Sequence, residues 1–133
     1  MQRVRLAFYA VAAAVLTLPG TPAHAISGKE LLRQCEALEK GAVLKGQSVT
    51  IPAGRDPGEC WAYMSAVQDF AGTVEQEGGP SILGSCVPAE TTRLDIIRAF
   101  TKFARTHRSE LDVRATAIII QALAQAYACR PAK

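Results

Sequence analysis

Residues 110–128 read ELDVRATAIIIQALAQAYA, and this stretch decides the fold. Wound as a helix it has a single polar stripe, because Glu110, Arg114, Gln121 and Gln125 cluster within about 60° at 100° per residue. Ile118, Ile119 and Ile120 point in three directions, all apolar. A helix that is apolar around most of its circumference belongs inside a bundle. The sequence therefore predicts an all-α domain with this last helix at its centre and Ser109 at its N-cap.

Working back along the chain, three more helices emerge. After Cys86-Val87-Pro88 a helix is expected over about 90–106, where Leu94, Ile97, Phe100 and Ala104 share a face widened by Ile96 and Phe103. Arg98, Lys102 and Arg105 line the opposite side. Asp56-Pro57-Gly58-Glu59 marks an earlier start, with Asp56 at the N-cap and Pro57 at the first helical position. That helix runs to about Val74 and places Cys60, Tyr63, Met64, Val67, Phe70, Ala71 and Val74 on one apolar stripe. Ser27 followed by Glu30 is a capping-box signature opening a helix over about 28–40, with Leu31, Leu32, Cys35 and Leu38 facing inward. Between the first two helices, Gly46, Pro52, Gly54 and Pro57 deny 41–56 a helix, and Val49-Thr50-Ile51 forms a short extended piece at most. The expectation is a small four-helix domain.

Two features assign a compartment. Arg3 and Arg5 precede an apolar run from Leu6 to Leu18, followed by the breaker Pro19-Gly20 and by Ala23-His24-Ala25, small residues at the −3 and −1 positions of a signal peptidase site. The run is too short for a bilayer, which takes about 20 residues. Residues 1–25 thus read as a cleaved signal peptide, 26–133 as the mature domain, and the leader's bacterial style points to the periplasm. The second feature is an even set of cysteines, Cys35, Cys60, Cys86 and Cys129, all in the mature part. In a small exported domain that is a disulfide framework, and without a close pair of ligands it is no zinc site. The tight connection between the last two helices makes them antiparallel, which brings Cys86 and Cys129 to one end of the bundle. Cys35 and Cys60 then tie the first helix to the start of the second.

Loss of Arg3 and Arg5 with the leader lowers the formal charge from +3 to +1. A near-neutral domain without an aromatic-studded basic patch has no electrostatic footprint for nucleic acid. Nor does the chain contain a nucleophile elbow, metalloprotease helix, phosphate loop or dinucleotide fingerprint. His107, the sole mature histidine, reads as a solvated turn residue. The expected protein is not an enzyme and needs no cofactor or metal; binding remains.

Three places compete for that role. Trp61, the only tryptophan, lies off the apolar stripe near Ser65 and Gln68; either the 41–56 connection covers it or it is an exposed anchor, with Gln68 beside it as a second candidate binding residue. The loop over 75–85 holds Ile82 and Leu83 beside Gly78-Gly79-Pro80, and its two aliphatics either tuck inward or protrude. The cationic face of Arg98, Lys102 and Arg105 either is merely solvated or steers an acidic partner. Charge is also segregated, acidic over 26–90 and basic over 91–133, which would supply complementary surfaces in a homodimer.

The pattern resembles the Rap/Tai family of immunity proteins. The carrying pieces are Ser27-Gly28-Lys29-Glu30-Leu31-Leu32 through Cys35, then Cys60-Trp61-Ala62-Tyr63-Met64-Ser65-Ala66-Val67-Gln68-Asp69, then Cys86-Val87-Pro88, and Ala117 to Cys129. The family usually has glycine where this chain has Ala62 and Ala66, and proline where it has Arg108 or Ala128; alanine keeps a four-spaced face of small residues. The resemblance implies a helical, periplasmic protein that binds and inhibits a cell-wall amidase toxin delivered by type VI secretion. The rival expectation is a general periplasmic stress factor, such as an acid-stress chaperone with many clients. A structural subunit of an envelope assembly is the third class.

Overall fold

The computed structural model describes residues 24–46, 48–76 and 84–129, with side chains omitted for 72–76. Most of the leader, residues 1–23, and the loop candidates Gly79, Ile82 and Leu83 lie outside that range. The described chain forms α1 (Gly28–Glu39), β1 (Val43–Lys45), β2 (Ser48–Thr50), α2 (Arg55–Gln76), α3 (Arg93–Thr106) and α4 (Ala115–Ala126), with a 3₁₀ turn at Arg108–Glu110.

The all-α expectation needs correction. β1 and β2 pair antiparallel, Val43 with Thr50, Leu44 with Val49 and Lys45 with Ser48, so a two-stranded hairpin joins the four helices. Gly46 turns it with φ +62°, which glycine adopts without steric cost. The strands are three residues long and largely exposed, so no alternation of apolar and polar residues announces them.

The last helix is not the central one either. α1 packs against all three other helices and leaves only Lys29, Glu30 and Arg33 exposed. α4 packs on α1 and α3 while Thr116, Ala117, Gln121, Gln125 and Ala126 face outward. Its alanines explain the misreading: they make the helix apolar all round but are small enough to sit on a surface. α4 also starts at Ala115 rather than near 110. The start of α1 and the chain just before it claim the intervening backbone: Gly28 and Lys29 N–H donate to the Val113 and Leu111 carbonyls, and Ala115 N–H to that of Ile26, each at 2.9 Å. Those carbonyls at 111 and 113 are then unavailable to an earlier helical turn.

Both cysteine pairs bond as expected, Cys35 to Cys60 and Cys86 to Cys129, with Cα–Cα distances of 5.1 and 4.9 Å. Each closes a loop whose chain-entropy contribution is about 3–4 kcal/mol. The first bridge is fully buried with Leu31, Leu38, Met64, Ile97, Phe100 and Ile118. The second clips together the segments flanking α3 and α4, where Cys86 N–H donates to the Tyr127 carbonyl at 2.7 Å. Tyr127 is half-buried there, and that burial, then the Asp95 charge, raises its phenol above the ordinary value.

The α3 face is as expected: Leu94, Ile96, Ile97, Phe100, Phe103 and Ala104 are all buried. The helix begins at Arg93, three residues later than expected, because Thr92 and Asp95 form a complete capping box. Asp56 is not the N-cap of α2; it lies in the first turn and forms an ion pair with Arg33 of α1. His107 is not a free loop histidine. It caps α3, stacks on Phe103 with ring centroids 3.9 Å apart, and its Nδ1 lies 2.9 Å from the Phe103 carbonyl.

Candidate functional site: the outer face of helix α2

α2 turns its buried side, Cys60 and Met64, toward α1 and the core. At 100° per residue, Ala62, Ala66, Asp69 and Phe70 fall within an arc of about 100° on the far side, and all four are exposed. Two flanks border this outward stripe, and they differ in chemistry.

On the α3 flank, Trp61 is half-buried against the core, and the Arg93 guanidinium lies over its ring at 4.5 Å. Arg93 Nε also donates to Gln68 Oε1 at 3.1 Å, while Gln68 Nε2 reaches the Thr91 carbonyl at 3.5 Å. A cation–π contact of this kind is worth about 0.5–2 kcal/mol. Two of the expected binding residues, Trp61 and Gln68, thus meet in one cluster. The cluster staples α2 to the start of α3, and its cation is the cover that Trp61 was expected to find in the 41–56 connection. Arg93 was not singled out by sequence, since nothing in a linear pattern pairs it with a residue 32 positions away.

On the other flank, Tyr63 hydrogen-bonds with Thr116 of α4 at 3.2 Å. Glu59 receives Gln34 Nε2 at 2.5 Å and Arg55 Nε at 2.6 Å. Gln34, Glu59 and Tyr63, with Ile26 and Ala62, line an open cleft of about 490 Å³.

Phe70 decides the character of the stripe. The apolar periodicity of α2 assigns it to the core, yet it is 62% exposed. It sits at the margin of the apolar stripe, about 100° from the midpoint of the buried Cys60 and Met64 at 100° per residue, and the wheel position was the only clue in the sequence. A large aromatic standing out beside Ala62, Ala66 and Asp69 is the kind of exposed apolar group that protein contacts use.

The cationic face separates into two parts. Arg105 is engaged within the fold: Nε meets Glu36 Oε1 at 3.0 Å and Nη2 meets Glu39 Oε2 at 2.8 Å, both on α1. The Glu36 hydrogen bond holds the guanidinium charged above its ordinary range. Arg98 and Lys102 are exposed, and their side chains have no hydrogen-bond or ion-pair partner among the described residues. The structure therefore does not join the three cations into one docking patch.

The family model described as Rap1a immunity proteins matches residues 27–129. The chain belongs to the Rap1a immunity protein family. Membership implies a role in immunity and an effector as partner. Together with the disulfides it makes an extracytoplasmic protein the consistent assignment. Among the described residues no helix is long and apolar enough to cross a membrane. No curated protein and no solved structure matches the chain at a significant level.

Proposed function

We propose that the protein is a periplasmic immunity protein that binds one peptidoglycan amidase of a type VI secretion system and occludes its active site. The observation that carries this reading is the family match over residues 27–129. The contact face is the outer side of α2, with Phe70 as the anchor and Ala62 and Ala66 as small residues that let a partner approach closely. An immunity protein has to reach its toxin where the toxin acts, and a fold closed by two disulfides is suited to an oxidising envelope compartment. Non-enzymatic action follows from the same reading: the protein inhibits by covering a cleft, with no turnover of its own.

The test pairs the mature protein with the amidase encoded beside it. Titration calorimetry should give a defined stoichiometry and an affinity tight enough to outlast toxin delivery, and cells producing the immunity protein should resist lysis. Absence of a complex together with undiminished lysis would overturn the proposal.

A further inference from the structure

Gln34, which lines the cleft beside α2, carries a buried group without a partner. Gln34 of α1 is 2% exposed, and while its Nε2 donates to Glu59, its Oε1 is buried and accepts no hydrogen bond. A buried, unsatisfied acceptor is destabilising, so a native fold keeps one only with reason. The cleft it lines is walled on one side by His24, Ala25 and Ile26. Ile26 is fixed in place: it packs against the core, its carbonyl receives Ala115 N–H at 2.9 Å, and Ser27 bridges to Arg114. Its own N–H donates to no backbone carbonyl among the described residues.

These are the parts of a receptor for a primary ammonium. The expected signal-peptidase cut falls between Ala25 and Ile26. Water adds across that peptide bond, leaving a carboxylate on the departing Ala25 and an amine on Ile26 that takes up a proton at neutral pH. The same cut removes His24 and Ala25 from the wall of the cleft. We propose that the cleft binds the chain's own new N-terminus, with the Ile26 α-ammonium donating to Gln34 Oε1 and pairing with the Glu59 carboxylate. The precursor lacks this charge, so α1 is fully fastened to α2 only after export. The inference rests on the export reading and not on which toxin is bound.

The first measurement is the intact mass of the protein recovered from the periplasm, which should correspond to a chain beginning at Ile26; any other start overturns the proposal. The second is a thermal-melting cycle. One glycine added before Ile26 should lower the melting temperature of the mature protein by about 4 °C or more. In a Gln34→Met background the same glycine should cost little, because the acceptor is already gone. An equal cost in both backgrounds overturns the proposal, and Glu59→Gln provides the same cycle if Gln34→Met does not fold. The third is the titration of the Ile26 amine followed by NMR, which should lie above the ordinary range of about 7.7–8.0. The charged groups on the surrounding elements include Arg55, Asp56 and Glu59 on α2, Lys29, Glu30 and Arg33 on α1, and Arg114 across the bridge. An ordinary value would show the amine to be solvated and overturn the assignment. None of these readings involves the effector, so their failure is separate from failure of the immunity reading.

Discussion

Helices α1 and α2 lie side by side, joined through Cys35 and Cys60, and divide their surfaces differently. α1 leaves Lys29, Glu30 and Arg33 to solvent and buries Leu31, Leu32, Gln34, Cys35 and Leu38. α2 buries Cys60 and Met64 but leaves Ala62, Ala66, Asp69 and Phe70 outside. α1 is the element packed against all three other helices, whereas α2 is held firmly along one side and presents the other. A helix can offer a rigid contact surface only if something else positions it, and here α1, the buried disulfide and the Arg93–Trp61 stack do so.

The most severe way to break that arrangement is to remove the link itself. Replacing Cys35 and Cys60 together by alanine should cost about 3–5 kcal/mol, combining lost chain restraint with a small core cavity. Replacing Cys86 and Cys129 should cost about 2–4 kcal/mol, because Cys86 is exposed, Cys129 is half-buried and no comparable cavity opens. Denaturant unfolding of the two double variants compares them directly. A larger loss from the outer bridge would mean that α1 and α2 are not the foundation.

Phe70 tests the other half of the comparison. Phe70→Ala should leave unfolding stability within about 0.5 kcal/mol, as befits an exposed position. It should weaken effector binding by about 2 kcal/mol, roughly 30-fold, as loss of an interface anchor does. Calorimetry on the complex and a melt of the free protein read the two quantities separately. Lost stability with unchanged affinity would place Phe70 in the fold and not in the interface.

Gly28→Ala should have the opposite signature. A Cβ there would stand 2.9 Å from Ile118 Cγ1 and 3.1 Å from the Leu111 carbonyl oxygen, where α1 meets the turn before α4. Relieving that crowding should cost about 1–3 kcal/mol in stability while effector affinity, once the protein is folded, stays the same. Paired measurement of melting and binding would detect an unexpected effect on the α2 face.

How far the sequence could be read follows from the range of the forces involved. The buried faces of α1 and α3 and both disulfides were legible, because helical periodicity and helix-end cysteines are local signals with one structural meaning. The hairpin was not, since three-residue exposed strands carry no pattern beyond Gly46 at the turn. The capping box at Thr92 and Asp95 was there to be read, and it would have placed the start of α3 correctly. The centre of the bundle was misassigned because alanine satisfies an apolar wheel without demanding burial. Trp61 and Gln68 were found as candidates and do meet, but through Arg93, a long-range partner that no spacing rule predicts. Phe70 and Gln34 escaped for a related reason: whether a residue at the margin of a stripe is covered depends on what packs beside it.

The smallest effects concern the cations of α3 and sharpen the distinction between a face used by the fold and one left open. Arg105 joins Glu36 and Glu39 across to α1, but its side chain is 45% exposed, and exposed pairs contribute about 0–1 kcal/mol. Arg105→Met should therefore cost less than about 1 kcal/mol in stability and leave effector association unchanged, because its charge is already countered by two carboxylates. Arg98 and Lys102 have no such partners among the described residues, so their charge contributes to the field around the protein. Reversing both, as Arg98→Glu with Lys102→Glu, should leave melting nearly unchanged and slow association with an acidic partner at low ionic strength. The slowing should fade as salt rises, because the charges act through solvent over about 10 Å at 0.1 M. Stopped-flow association at two salt concentrations separates the outcomes. If Arg105→Met slowed binding as much as the double reversal, the ion pairs with α1 would have to open in the complex, and α1 would share the contact surface that we propose for α2.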